Sequence, residues 1–131
     1  MEYQRALIPS KLGTGWFYAE GSCGDLSSYQ SAFVFSLDGS TKQKIKAEGL
    51  RFFDDVQSRY FGGTWRETPF PNEGVLFNMV CAAQRSWAFP KDISAALKQP
   101  GSYFLSPTNN NPRNLIVLPD LGYVVFVASD R

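Results

Sequence analysis

The sequence contains no histidine. That absence removes the side chain most often used as a general base near neutral pH, and with it serine–histidine and cysteine–histidine catalysis. It also excludes the common zinc sets, leaving only an unusual carboxylate-rich site. Cysteine is scarce too. Cys23 and Cys81 lie far apart and in no CxxC-type spacing, so no metal motif is evident; the two could form one disulfide, but nothing else in the chain looks secreted. Surplus charge of one sign is missing. Thirteen basic and twelve acidic residues give a formal +1, so no global field steers the protein toward nucleic acid or an anionic membrane. No apolar run approaches the ~20 residues of a membrane helix. Met1 to Leu12 carry no signal-like core, and no N-x-S/T sequon occurs. A reduced, cytoplasmic protein is the expectation.

Aromatic residues, by contrast, are plentiful, with eleven Phe, six Tyr and three Trp in 131 residues. Large rings bury much area each and allow a modest chain one substantial core. The length suits a single domain, 1–131, and no repeat, low-complexity tract or linker divides it.

Gly and Pro punctuate short elements throughout. Trp16 to Ala19 reads as a strand broken by Gly21 to Asp25, and Ala32 to Leu37 as a second strand paired antiparallel to it. Thr41 to Phe61 is the strongest helical pattern. Ile45, Gly49, Phe52, Phe53, Val56 and Tyr60 share one face, and Ser40 is a reasonable N-cap. Its first half is ambiguous, because Lys42, Lys44 and Lys46 oppose the helix dipole and Thr41 to Ala47 also fits an exposed strand. Thr64 to Glu73, with Pro69 and Pro71, reads as an extended loop around Trp65 and Phe70. Val75 to Ala83 is an apolar run interrupted only by Asn78 and predicts a strand buried on both faces. Pro90 opens a short helix through Lys98. Tyr103 to Leu105, Leu115 to Leu118 and Tyr123 to Val127 complete a sheet, the last two joined by the turn Pro119-Asp120-Leu121-Gly122. The implied order is β-β-α-β-α-β-β-β. It describes an α+β fold with a mostly antiparallel or mixed sheet of about five to six strands and two helices packed against it.

The motifs are sparse. Gly13-x-Gly15 precedes a strand and lacks the rest of a dinucleotide fingerprint. Asp54-Asp55, with Glu67 or Asp120, would supply carboxylates to a metal, but adjacent helical residues point about 100° apart. Solvated charges explain them better, and no metal or cofactor is expected. Cys81 reads as an inert core residue, and Cys23 as part of a Gly/Ser loop. Lys42, Lys44 and Lys46 would align on a strand and follow a phosphate backbone, with aromatic faces stacking bases, or else protect an edge strand. The Trp65–Phe70 segment combines two rings with prolines that limit its entropy, which suits a contact surface.

A small domain without histidine, metal spacing or a phosphate loop is expected to bind rather than catalyse. Its closing hairpin, Asn114-Leu115-Ile116-Val117-Leu118-Pro119-Asp120-Leu121-Gly122-Tyr123-Val124-Val125-Phe126, completes a chain that resembles the small bacterial immunity proteins in size and in its lack of catalytic machinery. That resemblance implies a single cytoplasmic α+β domain that neutralises a cognate protein toxin by covering it. It carries no site residues over. From the residues themselves, Trp65, Arg66, Glu67 and Phe70 are the expected contacts with a protein partner. The alternatives are a nucleic-acid-binding module using Lys42, Lys44 and Lys46, and a phage counter-defence inhibitor.

Overall fold

Leu115 to Leu118 and Val124 to Val127 are apolar at every position, a pattern a strand adopts when both of its faces are covered. The computed structural model places them there. It describes residues 8–24, 29–56, 64–71, 73–85, 87–106 and 113–130. Six strands form one antiparallel sheet, β1 (Thr14–Gly24), β2 (Tyr29–Leu37), β3 (Thr64–Glu67), β4 (Tyr103–Ser106), β5 (Arg113–Leu118) and β6 (Tyr123–Asp130), in the order β1-β2-β6-β5-β4-β3. β5 and β6 occupy its middle. Gly122, at φ 77°, closes the turn between them, and its N–H donates to the Leu118 carbonyl at 2.9 Å.

Three α-helices are described, α1 (Gly39–Glu48), α2 (Glu73–Arg85) and α3 (Ile93–Leu97). The fold is thus α+β, mostly antiparallel sheet with helices packed against it, and the helices cover both faces. Period-two alternation divides the strands between two cores. On one face Phe35, Leu115, Val117, Val124 and Phe126 meet Ile45 of α1 and the rings Phe52, Phe53, Trp65 and Tyr103. On the other, Val34, Ile116, Leu118, Val125 and Val127 meet Met79, Ala82 and Ala83 of α2, Phe89, and Ile93 and Leu97 of α3.

Four expectations change. Val75 to Ala83 lies in α2, not in an interior strand. Its buried residues, Met79, Ala82 and Ala83, recur at helical spacing while Val80 and Gln84 face outward, and its Leu, Met and Ala favour helix. The long helix over Thr41 to Phe61 is divided. α1 ends at Gly49, φ 63°, and Gly49–Asp55 continues as 3-10 helix; residues 57–61 lie outside the described region. Thr41 to Ala47 is therefore helical, with Thr41 and Ile45 buried one turn apart. The Thr64–Glu73 loop contains edge strand β3, with Trp65 opposite Leu105. Finally, β1 runs on through Gly21 to Gly24, so Cys23 is a strand residue.

Candidate functional site

Two rings expected at the surface are structural. Trp65 is only 9% exposed. It stacks on Phe53 at 4.3 Å, and its indole Nε1 donates to the Val56 carbonyl at 3.0 Å. Phe70 is buried against Phe104 edge-to-face at 4.8 Å, and its N–H donates to the Leu97 carbonyl. Between them Thr68, also buried, uses its hydroxyl to reach Gln99 and Ser102. A segment tied down on both sides buries its rings, because apolar area removed from water stabilises more than exposed area. Arg66 and Glu67 remain exposed between those rings, and Glu67 Oε2 accepts the Gly101 N–H at 3.0 Å.

The lysines do not line up. On α1, residues two apart are turned about 200° from one another, so Lys42, Lys44 and Lys46 form no continuous row. Lys46 is paired with Asp120 at 2.8 Å in an exposed bridge. Near that bridge, the buried Tyr103 phenol has its pKa raised, first by burial and then by the Glu67 and Asp120 carboxylates. Asp54 is exposed, and among the described residues no group of three or more His, Cys, Asp or Glu side chains is placed to hold a metal.

The surface feature that remains lies on the outer side of α2 and α3. Val80, Ala83 and Gln84 share one face of α2 at i, i+3 and i+4, and with Lys91 and Ser94 they line a cavity of about 320 Å³. Val80 is 38% exposed although it is a large apolar residue. Trp87 lies on the connection between these walls and is 91% exposed. Arg85 and Lys91, both exposed, supply positive charge beside it. Trp16, on β1, is a further exposed indole at 73%. A groove of mixed apolar and polar lining, with an exposed indole on the connector between its walls, has features of a protein-contact surface.

Sequence reasoning passed over Trp87. The available signal was its place in the polar connector Gln84-Arg85-Ser86-Trp87, before Phe89-Pro90, since connectors run over the surface. Reading the preceding segment as a strand hid the helix face that makes the groove. Comparison with known proteins returns no matching family model, no similar curated protein and no similar solved structure.

Proposed function

We propose that this chain is a protein-binding inhibitor of the immunity type, which neutralises a toxic protein partner by covering it with the α2–α3 surface. The observation that carries the reading is Trp87, an indole 91% exposed on the connector between the two helices that contribute to the groove. Keeping so large a ring in water forgoes roughly 2–3 kcal/mol of burial, which capture by a partner recovers. Arg85 and Lys91 favour a partner whose contact face is acidic, and they act mainly on encounter rate and register. This assignment replaces Trp65 and Phe70 as anchors, because neither ring is available without opening the core.

The nucleic-acid alternative has lost its aligned lysines. No described helix is long and apolar enough to cross a membrane.

Growth protection tests the proposal. The wild-type chain, co-expressed with a toxic product encoded beside it, is expected to restore growth and to form a stoichiometric complex. Trp87→Ala should weaken that complex by roughly thirtyfold or more with its fold unchanged. Undiminished protection by Trp87→Ala, or recovery of nucleic acid without a protein partner, would reject the assignment.

A further inference from the structure

Cys81 is half-buried on α2 and disulfide-bonded. The sequence holds one other cysteine, Cys23, on β1. We infer that the bond joins Cys81 to Cys23, that it fastens the edge strand β1 to α2, and that the protein is built for an oxidising compartment. This inference is independent of the proposed function.

The packing of the two elements carries the pairing. Ala19 of β1 belongs to the same core as Met79, Ala82 and Ala83 of α2. Two residues on, a Cβ added at Gly21 would meet the Ala82 Cβ at 2.6 Å and the Phe89 ring at 2.6 Å, so Ala82 of α2 packs directly on the strand backbone. Alternate residues of a strand share a face, and positions 19 and 21 of β1 both meet α2. Cys81 is the residue before Ala82. An intramolecular bond from Cys81 therefore spans a contact that backbone packing has already made.

The bond also has work to do there. Among the described residues β1 hydrogen-bonds on one side only, to β2, and its register is broken by irregularities between Thr14 and Phe17 and between Phe17 and Ala19. A long edge strand of this kind is prone to opening, and a crosslink closing a loop of about 58 residues restricts the unfolded chain strongly. Such bonds persist where thiols are not kept reduced. Formation is a two-electron exchange. The two cysteine S–H bonds break and one S–S bond forms, while a disulfide-bearing oxidant takes up both electrons and both protons and leaves as two thiols.

Alkylation and mass spectrometry decide the pairing. Wild-type protein produced in an oxidising host compartment, denatured and alkylated without reductant, should gain no label, run as a monomer and yield one crosslinked peptide pair holding Cys23 and Cys81. Reduction by a dithiol should lower the melting midpoint by roughly 10 °C. Cys23→Ser should melt with the reduced wild type and leave Cys81 open to label; if that variant fails to fold, the reduced wild type supplies the same comparison. Two labelled thiols in the oxidised preparation, or a dimer linked through Cys81, would overturn the pairing. For the compartment, thiols are blocked as the producing cells are lysed. Protection of both cysteines is expected, and full labelling would overturn that part.

Discussion

The two faces of the sheet are covered differently. On the α1 side, Phe52, Phe53, Trp65 and Tyr103 close over the strands ring against ring, with Phe53 in contact with all three of the others. On the α2–α3 side, Ala82 and Ala83 of α2 and Ile93 and Leu97 of α3 share the core with the rings Phe70, Phe89 and Phe104, Ala82 approaches Gly21 directly, and one further large ring, Trp87, is left in solvent. Two tryptophans of the same chain thus serve opposite ends. Trp65 contributes its area and its indole N–H to the fold, whereas Trp87 withholds both. The proposed contact surface lies on the α2–α3 side, where Trp87 takes no part in the core.

The strongest way to break this comparison is to truncate both indoles. Trp65→Ala removes a stacked, hydrogen-bonded ring and is expected to cost about 3–5 kcal/mol in denaturant unfolding, enough to unfold part of the population. Trp87→Ala should change stability by less than about 0.5 kcal/mol. Equal losses would show that the faces do not differ as described.

A smaller effect sharpens the contrast in packing. Gly21→Val places carbon atoms where Ala82 and Phe89 already stand, and a separation of α2 from β1 is expected to cost about 2–3 kcal/mol. Gly39→Ala, with nothing within 4 Å of the new carbon, should leave the unfolding midpoint nearly unmoved. A neutral Gly21→Val would mean that the close approach is not a constraint.

The smallest effect belongs to the ring-rich face and depends on pH. Burial, then Glu67 and Asp120, raise the Tyr103 pKa in the folded state. The folded chain therefore keeps the phenol proton at pH values where the unfolded chain releases it. Its contribution is fully present below the unfolded value of about 10 and is lost as pH rises through the folded one. Comparing wild type with Tyr103→Phe isolates the contribution of this residue. The alkaline loss of stability should be shallower in the variant, and parallel curves would remove Tyr103 from the account.

The central hairpin was legible from local chemistry alone. Leu115 to Leu118 and Tyr123 to Val127 are apolar at nearly every position and flank a turn whose Gly122 takes positive φ, so neighbours in sequence dictate both strands and their pairing. The pairing of β1 with β2 was legible for the same reason, whereas the helix expected to be capped by Ser40 starts at Gly39, with Asp38 at its N-cap. Val75 to Ala83 was not, because a short apolar run satisfies a buried strand and a buried helix equally, and only the neighbours that cover Met79, Ala82 and Ala83 choose between them. The candidate site fared likewise. Prolines around Trp65 and Phe70 suggest an exposed loop, yet Trp65 pairs across to Leu105 and Phe70 packs on Phe104, partners remote in sequence. Composition by itself determined which rings and cysteines this protein has. Which ring is buried, which is offered to solvent and that Cys81 is bonded were decided by contacts between distant segments, which form only once the sheet has assembled.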